Sequence, residues 1–214
     1  MALVYCVITF FFIIFTAIKI NRKFAIIFSL IIIFIPLLMY ELNFNQFKLT
    51  VNNTFRQVFP KGKLVFFSKQ HQAFAITSIE LFKKKPILGI GPNNYRRKCH
   101  EISSDFLSKK YNFGESNIQN CSTHPHNIFF QLLVEIGLIG IIYYIIFNIL
   151  LFIEIFKFFF KKNYNQISFF FLLPVIYYLN PFFPSGNFFN NWYMCFGILG
   201  LPFYLYLTKI KKSV

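Results

Sequence analysis

Two histidines on either side of a proline, His124 and His126, are the residues in this sequence best suited to acid–base chemistry. A histidine exchanges a proton near neutral pH, so it can take the proton of a reacting hydroxyl or donate to an anion. The pair lies in the stretch CSTHPHNIFFQLLVEIGLIG, where a polar loop meets an apolar segment. Proline is tolerated in the first turn of a helix, and Thr123 is a candidate N-cap. The sequence therefore predicts a helix whose N-terminal N–H groups face the histidines, an arrangement that binds anions.

A polar stripe continues from the histidines into the apolar segment. Asn127, Gln131 and Glu135 follow one another at intervals of four residues, which places them on one helix face. Ionisable residues inside an apolar span usually face a bundle interior or a cavity. The alternative is that Glu135 lies shallow enough to reach water.

A metal site is not expected from the four histidines, His71, His100, His124 and His126. The H-P-H sequence has no nearby pair of cysteines or carboxylates and matches no spacing of zinc ligands. The basic residues of the loop, including Arg96 and Arg97, are either solvated charges or phosphate contacts. Arginine can bind a phosphate through two parallel hydrogen bonds.

The composition is that of an all-α integral membrane protein. Of the 214 residues, 56% are hydrophobic and only 14% are charged, whereas soluble domains carry about 25% charged residues. The net charge of +15 lies mainly beside apolar segments or in one loop, and no nucleic-acid-binding motif is present. We therefore expect a lipid bilayer as partner and no nucleic acid. Five transmembrane helices are predicted, at about residues 2–18, 24–40, 128–156, 167–183 and 192–208.

Positive charge in the short connections predicts the orientation. Segments 19–23, 157–162 and 209–212 carry three basic residues each, while segment 184–191 carries none. Basic connections stay in the cytoplasm. The long loop is therefore expected outside, and the C-terminus in the cytoplasm.

The chain thus divides into two transmembrane helices (1–40), a long, mainly helical periplasmic loop (41–127) and three transmembrane helices with a basic tail (128–214). Within the loop, apolar residues recurring every three positions predict a helix over residues 68–85, followed by a turn-rich connection, PILGIGPNNY. Cys99 and Cys121 both lie in this loop. Pairing them would close about 23 residues and contribute roughly 3 kcal/mol in an oxidising compartment.

Two motifs in this region resemble the O-antigen ligase and polymerase family of bacterial inner membranes. The ligase signature is His, then Asn, Ser or Gln, then nine residues, then Gly-x-x-Gly. It corresponds to His126, Asn127, Gly137 and Gly140. The Pro-x-x-Gly-x-Gly element also occurs, in Pro86 to Gly91. The family usually has more spans in a longer chain, so this sequence is similar to its C-terminal half.

The resemblance implies a glycosyltransferase that moves a glycan from undecaprenyl diphosphate to a sugar hydroxyl, on lipid A–core or another surface glycan, at the periplasmic face. It implies no cofactor, because the diphosphate carrier is already activated. His126 would be the catalytic base, and the substrate-binding candidates are His71, His124, Asn127, Gln131, Glu135, Lys69, Arg56, Arg96 and Arg97.

Three alternatives stay open. The chain could be an O-antigen polymerase, or a half-length, non-catalytic membrane protein that binds lipid-linked glycan, or one that requires a second polypeptide to supply missing helices. The family usually places an arginine at the start of the loop helix. Lys69 and His71 stand there in this sequence, and Arg56 and Arg96 are the nearest arginines.

Overall fold

A computed structural model describes residue 14 and residues 22–42, 45–59, 68–112, 119–161, 164–181 and 185–213. Within these residues the chain is helical and has no β-strand. It forms two compact units, Met1–Ser68 and Lys69–Val214. The first predicted span, at residues 2–18, lies outside the described residues except for Ile14.

The first unit contains α1 (Arg22–Glu41) and α2 (Asn45–Val58), which contact each other. The apolar helix α1 covers the second predicted span, at residues 24–40. The polar helix α2 carries Arg56 in its last turn, where the side chain is exposed.

The second unit contains the remaining helices. They are α3 (Lys69–Lys84), α4 (Tyr95–Lys98), a 3-10 helix (Cys99–Glu101), α5 (Ser104–Tyr111), α6 (Ile128–Phe160), α7 (Gln166–Tyr178), α8 (Asn191–Ile198) and α9 (Gly200–Ser213). Its loop helix α3 confirms the helix predicted over residues 68–85, and the turns that follow confirm the predicted connection.

One helix of the described part, α6, is long and apolar enough to cross a membrane. The apolar segments at Ile167–Tyr178 and Met194–Lys209 are shorter. The span predicted at residues 192–208 is divided into α8 and α9, which meet at Leu199. Pro202 cannot donate a backbone hydrogen bond to the preceding turn. Gly200 also packs so closely that a Cβ there would lie 1.8 Å from the carbonyl oxygen of Phe171. The other predicted spans stay a prediction.

A small core joins the loop to the beginning of α6. The buried residues of this core come from α3, the α4 region, α5 and α6: Ala73, Leu81, Tyr95, Cys99, Ile102, Leu107 and Val134. A disulfide joins Cys99 to Cys121, with the two Cα atoms 5.3 Å apart. The bond ties the segment before the histidines to this core.

Helix α6 begins at Ile128, where the third span was predicted to begin, but its N-cap differs from the predicted one. Its N-cap is Asn127, whose Oδ1 accepts a hydrogen bond from the N–H of Phe130 at 3.2 Å. Thr123 is therefore not the N-cap, and Pro125 lies before the helix rather than in its first turn. Asparagine is as good a cap as threonine, and it stands directly before the apolar run. The helix consequently begins only after both histidines.

Candidate active site

Three of the four histidines form a cluster just before α6. The rings of His124 and His126 have centroids 4.2 Å apart, and the ring of His71 lies 6.2 Å from that of His126. Phe74, one turn after His71 on α3, lies 5.3 Å from His126 and fills the space beside it. His71 and Phe74 precede the H-P-H segment by 50 or more residues in sequence, so only the fold brings these rings together. His126 stands at the centre of the cluster.

Hydrogen bonds fix the rings of both histidines in the H-P-H segment. His124 Nε2 lies 3.1 Å from the carbonyl oxygen of Ser185, which can only accept, so this nitrogen carries the proton. Its Nδ1 lies 2.9 Å from the hydroxyl of Thr123, which donates to the neutral ring. His126 Nε2 lies 3.0 Å from the hydroxyl of Ser122. Within the described residues, no hydrogen bond occupies the Nδ1 atom of His126.

The backbone at His126 is in the left-handed region, with φ of 57°. Residues other than glycine seldom adopt this conformation, although histidine does so more often than most. The conformation is held by the segment Ser185–Asn190, named here the outer turn, because the N–H of Ser185 donates to the carbonyl of His126 at 3.0 Å. Strained backbone of this kind clusters at functional sites.

Burial lowers the pKa of His126 from its ordinary value of 6.5. The pKa values of His71 and His124 are also lowered, first by burial and then by the charge that His126 would carry. A buried imidazole loses hydration when it is protonated, and three adjacent imidazoles repel one another when charged. The cluster is therefore neutral at pH 7 and able to accept a proton.

Below the cluster, the predicted polar stripe is buried and bonded to the protein. Gln131 donates to Glu135 Oε2 at 3.0 Å and to Asn187 Oδ1 at 2.7 Å, and accepts from the N–H of Phe188 at 2.9 Å. Glu135 Oε1 accepts from the N–H of Tyr95 at 2.8 Å. Both side chains are fully buried. These contacts give Gln131 and Glu135 a clear structural task, which is to join the connection before α4 and the outer turn to α6.

The glycines of the two sequence motifs contact each other. At Gly137 the helix α6 is interrupted, with φ of 72° and ψ of −157°. The turn Pro86–Gly91 enters this interruption through backbone hydrogen bonds: Ile90 N to Val134 O at 2.9 Å, Gly91 N to Glu135 O at 2.9 Å and Leu138 N to Pro86 O at 2.8 Å. A Cβ on Gly137 would lie 2.6 Å from the nitrogen of Gly89, and a Cβ on Gly89 would lie 2.7 Å from the nitrogen of Gly137. Only glycine fits at either position.

The basic candidates lie at different distances from the histidines. Lys69 is exposed at the start of α3, two residues before His71. Arg96 and Arg97 are exposed on α4. The first N–H of α4 donates to Glu135, and Glu135 lies about 12 Å along α6 from Asn127. Arg56 belongs to the other compact unit. Of these basic candidates, Lys69 is the one closest in sequence to a histidine of the cluster, His71.

Two parts of the site were not predicted from the sequence, Ser122 and the outer turn, Ser185–Asn190. Ser122 carries a weak signal, because its hydroxyl lies four residues before His126. The outer turn carries no chemical motif, yet its backbone contacts both histidines of the H-P-H segment. Asn187 donates to Asn93 at 3.0 Å, which also ties this turn to the connection before α4.

A possible cation site at Cys99, His100 and Cys121 has its donor atoms within 4.8 Å of one another. Both sulfurs belong to the disulfide. A disulfide sulfur is not a thiolate and does not ligate zinc, so these residues do not fit a metal ion.

The fold and site define a helical membrane protein with a histidine cluster beside the head of its long apolar helix. The O-antigen ligase family matches residues 1–145, about two thirds of the chain, and the protein belongs to this family. Members are integral proteins of the bacterial inner membrane. The family implies a ligase- or polymerase-like glycosyltransferase that uses a lipid-linked glycan. No curated protein and no solved structure matches the chain.

Proposed function

We propose that this protein transfers a glycan from undecaprenyl diphosphate to a sugar hydroxyl, on lipid A–core or another surface glycan, at the periplasmic face. The observation that carries the proposal is the position of His126. Its ring lies at the centre of the histidine cluster, its backbone is in the left-handed region, and its Nδ1 has no protein partner among the described residues. This is also the histidine of the family signature.

In the proposed reaction, the oxygen of the acceptor hydroxyl attacks the anomeric carbon of the glycan. The bond from that carbon to the diphosphate oxygen breaks, and undecaprenyl diphosphate leaves with the electron pair. Nδ1 of His126 takes the hydroxyl proton, in the tautomer whose Nε2–H donates to the Ser122 hydroxyl. The lowered pKa of His126 supports this role, because a base must be unprotonated before the reaction.

The leaving diphosphate gains negative charge and needs cationic partners. We assign this contact to Lys69, two residues before His71 on α3. The neutral ring of His71, a member of the cluster, is a further candidate for a hydrogen bond to the diphosphate. Arg96 and Arg97 are further candidates for the carrier, at a greater distance along α6. Arg56 stays a candidate without a described place beside the cluster. His124, bonded on both ring nitrogens, positions the segment.

The proposed topology puts the cluster outside the cytoplasm. The five predicted spans and their basic connections support a periplasmic loop and a cytoplasmic C-terminus. Reporter fusions at Asn53 and Asn117 should report the periplasm, and fusions at Arg22, Lys162 and Val214 the cytoplasm. A cytoplasmic signal from both loop fusions would refute the proposal as a whole.

The catalytic assignment is tested by transfer from lipid-linked glycan to its acceptor in membranes containing His126→Asn. Asparagine tolerates the left-handed backbone, so the substitution removes the base and retains the local conformation. Transfer should fall by about 10²–10⁴-fold, which is the usual contribution of a general base. His100→Ala is the matched control, because His100 is exposed on the same loop and lies outside the cluster. Unchanged transfer by His126→Asn would favour a binding protein.

A further inference from the structure

The surroundings of α6 change abruptly at Gly137. From Ile128 to Gly137 no residue is exposed, because α3, the turn Pro86–Gly91 and the outer turn cover the helix. Immediately after Gly137 the apolar side chains are exposed, including Leu138 and Ile142 at 45% and 55%. The first part of α6 is therefore packed against α3, the turn Pro86–Gly91 and the outer turn. The second part has the surface of a helix surrounded by lipid.

The helix length agrees with this division. All 33 residues of α6 would span about 50 Å, well beyond the roughly 30 Å of bilayer hydrocarbon. The part from Leu138 to Phe160 spans about 34 Å, which crosses the hydrocarbon with a modest tilt. Gly137 thus marks the level at which the helix enters the bilayer.

The tip of the turn Pro86–Gly91 lies at the same level. The N–H of Leu138 donates to the carbonyl of Pro86, and the N–H of Ile139 donates to that of Ile87. The side chains of Ile87 and Leu88 are 64% and 70% exposed. Two such apolar side chains at the tip of a turn, level with the first lipid-facing residues of α6, form one continuous apolar surface with it.

We propose that the Ile87–Leu88 tip inserts into the bilayer leaflet that faces the histidine cluster. The proposal rests on the proposed membrane placement of α6. Lys85, two residues before Ile87, is exposed. Arg96 and Arg97 are exposed next to Tyr95, whose N–H donates to Glu135. Glu135 precedes Gly137 by about 3 Å along the helix. These cations lie at the height of lipid phosphates, where they attract anionic headgroups.

The insertion fixes the height of the cluster above the membrane. His71 and the tip lie at opposite ends of α3, a helix of 16 residues or about 24 Å. Asn127, directly after His126, lies ten residues or about 15 Å along α6 from Gly137. The cluster is therefore held at the water side of the headgroups, where the diphosphate and first sugar of a membrane carrier would reach it.

Spin labels can measure the depth of the tip in the full chain, reconstituted in phosphatidylethanolamine–phosphatidylglycerol vesicles. Cys6 and Cys195, which lie outside the disulfide, are replaced by serine. Single labels are placed at Leu88→Cys, at Gln70→Cys on the opposite end of α3 and at Ile142→Cys within the span. Accessibility to oxygen, which partitions into lipid, is compared with accessibility to a water-soluble nickel chelate.

The label at Leu88 should be more accessible to oxygen than to the nickel chelate, as the label at Ile142 is. Its depth should be about 5–10 Å below the phosphates. The label at Gln70 should be more accessible to the nickel chelate. Ile87→Cys gives a second reading if the first variant does not fold. A nickel-accessible tip, or a tip shielded from both reagents by another protein segment, would overturn the proposal. Neither result depends on glycan transfer, so failure here is distinct from failure of the catalytic assignment.

Discussion

Replacement of Gly137 by alanine tests how the turn Pro86–Gly91 is held on α6. A Cβ on Gly137 would lie 2.5 Å from the carbonyl oxygen of Ile87, and a positive φ of 72° is strained for alanine. If the turn stays in place, the overlap adds to a backbone strain of about 1–3 kcal/mol. If the turn moves away, three backbone hydrogen bonds of 2.8–2.9 Å, each contributing about 1 kcal/mol, are lost together with the longer one from Ile139 to Ile87. Either route destabilises the folded protein by about 3 kcal/mol.

For a chain of this size, 3 kcal/mol lowers the melting temperature by roughly 6–12 °C. Thermal unfolding of the purified protein in detergent would measure the shift. Leu138→Ala is the matched control, since it shortens an exposed side chain at the adjacent position and should leave the temperature nearly unchanged. Equal melting temperatures for Gly137→Ala and wild type would refute the interlocking of the two glycines.

Gly89→Ala extends the same test, because a Cβ on Gly89 would lie 2.5 Å from the backbone carbon of Glu135. Each substitution separates the same two segments. The double variant should therefore be little less stable than either single variant, which is the signature of directly coupled positions. Additive losses would show that the two glycines act independently.

Three further predictions concern the cluster and its supports. Because burial lowers the pKa of His126 below its ordinary value of 6.5, the rate of glycan transfer should fall to half its maximum only at a pH below 6.5. A half-maximal rate at or above pH 6.5 would contradict this. Glu135→Ala should destabilise the protein in thermal unfolding by about 1–3 kcal/mol, since it leaves the N–H of Tyr95 without its acceptor. Glu135→Gln retains an acceptor oxygen and should lose less stability. Equal losses of stability in the two variants would count against the contact. Cys99→Ser should be about 3 kcal/mol less stable than wild type under oxidising conditions. After reduction, wild type and variant should be equally stable, whereas a variant as stable as oxidised wild type would exclude a stabilising disulfide.

Helices α3 and α6 could be predicted from the sequence because the pattern of apolar residues that indicates each helix lies within the helix itself. Apolar residues every three positions on α3, ended by three lysines and Pro86, predicted that helix to within one residue at each end. The apolar run after Asn127 predicted α6 in the same way. The interruption at Gly137 was not predicted, because a glycine within an apolar helix is tolerated and its φ depends on what packs against it. Here that partner is the turn at Gly89, almost 50 residues earlier.

The candidate site shows the same limit. His124 and His126 were visible as a pair, and His71 was proposed as a substrate contact, but no periodicity relates residues on separate helices. The N-cap was assigned wrongly because Thr123 and Asn127 are both acceptable caps. The choice depends on tertiary contacts such as the one from Asn127 to the carbonyl of Pro181 at 2.8 Å. Gln131 and Glu135 formed an evident polar stripe, while their partners Asn187 and Tyr95 could be identified only in the folded chain.

Chemical rescue of His126→Gly by imidazole tests the central claim, that His126 is the base in glycan transfer, most directly. Glycine adopts the left-handed backbone without strain, and removal of the ring leaves a space of imidazole shape beside Ser122 and Phe74. Transfer by His126→Gly membranes should be lost and should return as imidazole is added, more strongly at a pH where imidazole is unprotonated. His124→Gly, which removes a positioning histidine, should gain no comparable activity. Wild-type transfer by His126→Gly without imidazole, or a stably inserted His126→Gly protein that imidazole does not reactivate, would contradict the assignment.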